Sequence, residues 1–205
     1  MKISWKSVRS ILEFTIVSIC TLLFVVTAIW LCFSIFGSAH VGRSDFSEYW
    51  ASGQLLRHHA NPYARGAVLD LERSIGFSEK EALVMWNLPS ALLLVLPLGF
   101  FGNPRVEHAL WDLLIIGSLI ASVRMIWIMH GRPRTSSNIL AYTFAPALMC
   151  VLTGQVSMFI LLGLVVFFRL HSSRPLVAGV SLWLCMLKPH LFLPFGLPHG
   201  AHLRQ

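Results

Sequence analysis

Apolar residues run along this chain in long blocks separated by short polar stops, a pattern that predicts membrane-spanning helices. A basic start with Lys2, Lys6 and Arg9 precedes an apolar block over 11–37 whose single charge is Glu13. A cleaved signal has an apolar core of only about 7–15 residues, so this block is expected to remain as a first spanning helix with a cytoplasmic amino terminus. Residues 38–82 form the one long polar stretch and hold Asp45, Glu48, Asp70, Glu72, Glu79 and Glu81, six of the nine acids; they are expected outside the cytoplasm. Apolar blocks then cover 83–101, 108–130, 139–153, 156–170 and 176–193, followed by a polar tail over 194–205. The expected fold is an all-α, multi-pass membrane protein with a single membrane domain.

Block 83–101 decides the topology. If every block spans, the short basic loops with Arg132 and Arg134, and with Arg169 and Arg174, fall outside, against the positive-inside tendency. Asn87, Pro89, Pro97 and Gly99 interrupt the backbone ladder of this block, which suits a re-entrant or interfacial element better than a lipid-facing helix. With 83–101 re-entrant, both basic loops lie inside. Asp45, Gly154-Gln155 and Lys188-Pro189 then all lie on one extracytoplasmic face. The apolar cores at 139–152 and 176–187 fall short of the ~20 residues needed to cross a bilayer, so they borrow flanking residues or line an enclosed cavity.

Composition sharpens the membrane reading. Of 205 residues, 56% are hydrophobic and 12% charged, and the mean hydropathy is +0.70. Soluble domains carry about 25% charged residues, so this chain has half the usual polar coat. The net charge of +7 is placed by topology and does not point to a nucleic-acid partner. Cys20, Cys32, Cys150 and Cys185 all sit inside apolar blocks and read as buried small hydrophobes rather than disulfide or zinc ligands. The nine histidines form no ligand pattern, so a divalent metal has no support and no cofactor is expected. P-loop, G-x-G-x-x-G and G-x-S-x-G motifs do not occur.

Four positions could carry chemistry. Phe46, Tyr49, Trp50, Gly53 and Leu56 follow an i, i+3, i+4, i+7 spacing, which predicts an amphipathic helix lying on the membrane surface with Ser44 or Asp45 as its N-cap. Asp45 is therefore either a cap or a functional acid, and Glu48 either a solvated charge or a neighbour of the same headgroup layer. Gln155 either caps broken backbone or contacts a polar ligand. Lys188 either snorkels to the interface or binds a phosphate as a point charge. Asp112, near the outer end of its helix, is expected to be hydrated, and Arg124 to snorkel.

The order of these motifs resembles glycosyltransferase family 87, the polyprenol-phosphate-mannose-dependent α-1,2-mannosyltransferase type. The resemblance rests on Asp45-Phe-Ser-Glu-Tyr-Trp-Ala-Ser-Gly53, Pro62-Tyr63, Pro89, Leu96-Pro97-Leu98, Leu152-Thr-Gly-Gln155, Arg174-Pro175, Ala178-Gly179 and Lys188-Pro189. Three positions depart from the family pattern: Trp86-Asn-Leu-Pro-Ser90 replaces an aromatic-Pro-Pro motif, the stretch near His58 lacks a Gly often found there, and His190 stands where Gln is frequent. The resemblance implies a GT-C helical bundle, with Asp45 as general base and Glu48, Tyr49, Gln155, Lys188 and His190 at the substrate. It also implies a polyprenyl-phosphate sugar donor, a glycan or glycolipid acceptor, and residence in the plasma membrane. Family members are about twice as long, so the chain is expected to be an amino-terminal half or a truncated member. The alternative from another class is a non-enzymatic membrane protein, either a small transporter or flippase-like binder of lipid phosphates or an inserted remnant.

Overall fold

The computed structural model describes residues 44–133 and 145–192, together with 141–142 and several positions between 8 and 29. About half of the expected first span, the tail over 194–205, and Cys20 and Cys32 lie outside the described residues. Where the amino-terminal segment is described it is helical, and the Thr15 and Thr21 hydroxyls donate to the carbonyls of Ile11 and Val17 at 2.9 and 2.8 Å.

Among the described residues seven α-helices with defined ends follow, in the order α1 (Phe46–Arg57), α2 (Arg65–Ser74), α3 (Leu92–Val95), α4 (Pro104–Met129), α5 (Ala145–Thr153), α6 (Ser157–Leu170) and α7 (Pro175–Cys185). Three 3-10 turns accompany them, at Pro89–Ala91, Leu96–Gly99 and Pro189–Phe192. The described residues contain no strand. The apolar block over 83–101 does not form one helix. Pro89 and Pro97 each open a 3-10 turn, and α3 between them is only four residues long.

Helix α4 is the one described helix long and apolar enough to cross a membrane. Its 26 residues extend about 39 Å at 1.5 Å each. Asn103 caps it, accepting from the Arg105 amide at 3.0 Å, and Pro104 takes the first position, where no amide is needed. Glu107, in the first turn, reaches back to the amides of Phe101 and Gly102, both at 3.0 Å. Outward-facing Leu113 and Leu114 are 63% and 55% exposed, whereas Trp111 and Ile115 are fully buried against the other helices.

The core joins Phe46, Tyr49 and Trp50 of α1 to Trp111 and Ile115 of α4, Phe159 of α6 and Leu187. The Trp111 ring lies 5.3 Å from both Tyr49 and Phe159, tilted against the first and edge-on to the second. Helix α1 is therefore a core helix rather than the surface-lying helix its spacing predicts. Its polar positions are paired internally, which spacing cannot reveal. The Ser47 hydroxyl donates to Glu72 at 3.4 Å, the Ser52 hydroxyl to the Pro62 carbonyl at 3.4 Å, and the Gln54 amide to the Leu98 carbonyl at 3.2 Å. Gly53 and Gly99 allow the closest approach. A Cβ on Gly53 would lie 2.5 Å from the Val95 carbonyl oxygen, and one on Gly99 the same distance from that of Gly53. Asp112 is likewise buried rather than hydrated. Its carboxylate lies 3.8 Å from His108 Nε2, and the Phe46 ring covers His108 at 4.7 Å between centroids.

Candidate functional site

The site forms where three chain breaks meet. Helix α5 ends in a Schellman motif: the Gly154 amide bonds the Val151 carbonyl at 3.2 Å and the Gln155 amide bonds that of Cys150 at 2.8 Å. Gly154 stands in the left-handed region at φ +73°. A Cβ there would also lie 3.3 Å from the Phe46 amide nitrogen, so glycine suits both the turn and the contact. The indole of Trp111 donates to the Gly154 carbonyl at 2.8 Å, and the Asp45 amide donates to the Thr153 carbonyl at 2.9 Å. The first turn of α1 is thereby fixed against the end of α5.

Asp45 occupies the N-cap position of α1, but its carboxylate makes no capping hydrogen bond. It accepts instead from the side-chain amide of Gln155, across 110 residues of sequence. The Gln155 carbonyl oxygen in turn accepts from Lys188 Nζ at 2.5 Å. An amide is suited to this place because one end donates to an anion while the other accepts from a cation. Lys188 comes within reach because the Asn87 side chain donates to the Leu187 carbonyl at 2.9 Å, tying the chain before Lys188 to the broken segment over 83–101. Asp45, Gln155 and Lys188 thus form one hydrogen-bonded chain of carboxylate, amide and ammonium.

Burial raises the Asp45 carboxyl above its ordinary value, and the positive charge of Lys188 partly offsets this. Glu48, one turn along α1, is pushed up to about 7, first by burial and then by the charge of Asp45. It is half-buried, not a solvated charge. The Tyr49 hydroxyl bonds Glu48 and also meets the backbone of Val156; burial, then the two carboxylates, raises its pKa. Both Glu48 and Tyr49 therefore belong to this cluster. His190 does not join it: the ring is exposed in the Pro189–Phe192 turn, and no described contact links it to Asp45 or Gln155.

The family profile of glycosyltransferase family 87 matches residues 87–202, more than half of the chain. The chain belongs to glycosyltransferase family 87. It is therefore a glycosyltransferase of the GT-C type, and the matched region holds Gln155, Lys188 and the tether Asn87. Asp45 precedes that region and enters the site through its contacts. No curated protein and no solved structure matches the chain.

Sequence reasoning missed several residues that build this cluster. Trp111 and Asn87 hold its turns, and Glu107 anchors α1 from the other side, accepting from Trp50 Nε1 and, at 3.5 Å, from Gln54. The Ser44 hydroxyl, next to Asp45, is buried with no hydrogen-bond partner among the described residues. The one signal for Glu107 was its place three residues after Pro104, in the first turn of a capped helix.

Proposed function

We propose that this chain transfers a hexose, mannose in the simplest case, from a polyprenyl-phosphate donor to a glycan or glycolipid acceptor at the extracytoplasmic membrane face. The observation carrying this reading is the Asp45–Gln155–Lys188 chain, which places an anion and a cation at the two ends of one amide. Asp45 is the general base. It takes the proton of an acceptor hydroxyl while that oxygen attacks C1 of the donor sugar, the bond from C1 to the phosphate oxygen breaks, and the configuration at C1 inverts. Lys188 stabilises the charge that develops on the departing lipid phosphate. Gln155 holds both groups in register and faces the sugar, with Glu48 and Tyr49 on the same wall. No cofactor is needed for this step. A carboxylate held above its ordinary pKa is a stronger base.

Membrane residence is supported by the apolar side chains turned outward. Ile120 on α4 is 48% exposed, and Leu176 and Val180 on α7 are 85% and 73% exposed. With 83–101 re-entrant and the amino terminus cytoplasmic, the site opens to the outer leaflet of the plasma membrane. Membranes containing the chain, supplied with labelled polyprenyl-phosphate mannose and a glycan acceptor, should transfer the label. Asp45→Asn should lower transfer by about 10²–10⁴-fold, the usual contribution of a general base. Equal transfer by wild type and variant refutes the role of Asp45.

A further inference from the structure

A cavity lies away from the Asp45 centre. It has a volume of about 410 Å³ and is lined by Arg65, Gly66 and Leu69 on one side and by Lys80, Glu81, Ala82, Val84 and Trp86 on the other. Neither Asp45, Gln155 nor Lys188 borders it. The first wall is the opening turn of α2, and the second is the extended chain leading into the broken segment over 83–101.

Two features of this groove point to one class of ligand. Arg65 and Lys80 face it without an ion-pair partner among the described residues, and Glu81 offsets only one of the two charges. Two cations facing one carboxylate leave a net positive charge at a concave site, which suits a phosphate that arginine holds as a fork and lysine as a point charge. Trp86, 90% exposed, forms the rim. Leu83, Leu88 and Leu93 beyond it are also exposed, at 37%, 40% and 66%. An exposed tryptophan flanked by leucines is costly in water and favourable at the junction of headgroups and acyl chains. Lys80 and the apolar strip lie on one continuous piece of chain, with Arg65 facing them from α2, so a ligand filling both must join an anionic head to a hydrocarbon tail.

We propose that this groove binds the headgroup of an anionic phospholipid, with Arg65 and Lys80 on the phosphate and Trp86 at the level of the glycerol backbone. The site rests on the membrane location proposed above and is independent of the transfer reaction.

The test uses the full chain reconstituted in nanodiscs of phosphatidylcholine with or without phosphatidylglycerol, followed by native mass spectrometry of the retained lipid. Wild type should retain phosphatidylglycerol in preference to phosphatidylcholine. The double variant Arg65→Gln/Lys80→Gln should lower that retention roughly 30-fold, the size expected for two cations at an anionic lipid surface. Trp86→Ala should lower it without altering charge. Arg73→Gln/Arg105→Gln removes the same charge from exposed positions outside the groove and should leave retention unchanged. An equal loss in that control pair means diffuse attraction and overturns the site, as does retention unaffected by the groove variants. Complete displacement of the lipid by millimolar inorganic phosphate also overturns it, because the ligand is then free phosphate. Failure to reconstitute in either lipid overturns the membrane reading and the groove together; insertion without a preference for phosphatidylglycerol overturns the groove alone.

Discussion

Asp45 and Glu107 hold the same helix, α1, from two sides, and their surroundings differ in a way that sets an acid fastening backbone apart from the acid proposed as general base. Glu107 is fully buried and accepts from the Trp50 indole, from the backbone amides of Phe101 and Gly102, and more distantly from Gln54. Two of those donors are fixed backbone, so its lone pairs are occupied and no substrate proton can reach it. Asp45 is half-buried, its side chain is held by one side-chain amide, and a cation stands one residue of the network away. A carboxylate surrounded by fixed donors fastens backbone. One with a single exchangeable partner can give that partner up to a substrate hydroxyl.

Removing Glu107 has the largest expected effect on folding. Glu107→Ala leaves two part-buried amides and a buried indole N–H without an acceptor, which costs about 2–3 kcal/mol. Thermal unfolding in detergent should show a large drop, and an unchanged midpoint would remove the contrast between the two acids. Gly154→Ala comes next. It forces a left-handed residue and crowds the Phe46 amide, at a cost of about 1–2 kcal/mol. Because Gln155 follows directly, sugar transfer should fall as well, measured per folded molecule.

How much of this contrast was legible in the sequence differs for the two acids. The Asp45, Gln155 and Lys188 cluster could be assembled because each residue interrupts an apolar block or opens a helix, and because the charge balance of the loops put all three on one side. Glu107 carries no such mark: its partner Trp50 lies 57 residues away, and a single acid near a helix start reads as an ordinary cap. The helical spacing after Asp45 predicted α1 but not its burial, because Ser47, Ser52 and Gln54 look like a solvated face until their distant acceptors are known. Asp112 failed for the same reason, since the Phe46 and His108 stack that covers it depends on how α1 docks. The broken backbone over 83–101 was legible from its prolines alone, and its tie through Asn87 to Leu187 was not.

Smaller effects sharpen the account. Gln155→Leu keeps the shape but cuts the link between Asp45 and Lys188; about a tenfold loss of transfer is expected, with little change in unfolding. If transfer is unaffected, the amide is only a spacer. The smallest effect is a pH dependence. The Glu48 pKa rises on folding from an ordinary 4.5 to about 7, so the folded state binds this proton more tightly than the unfolded chain. Its contribution to stability is full below pH 4.5 and is lost as pH rises toward and through 7. Glu72 is raised to about 7 as well, chiefly by burial, and acts in the same direction. The unfolding temperature should therefore fall by a few degrees between pH 5 and pH 8, and Glu48→Gln should flatten that slope. A slope unchanged by the variant would assign it to Glu72.

The contrast between the two acids is tested most directly by measuring sugar transfer and thermal unfolding side by side in Asp45→Asn and Glu107→Gln. Asp45→Asn should lose about 10²–10⁴-fold in transfer from polyprenyl-phosphate mannose while unfolding near the wild-type temperature, and Glu107→Gln should unfold earlier yet keep its transfer per folded molecule. Wild-type transfer in Asp45→Asn, or its loss only in proportion to unfolding, would contradict the account.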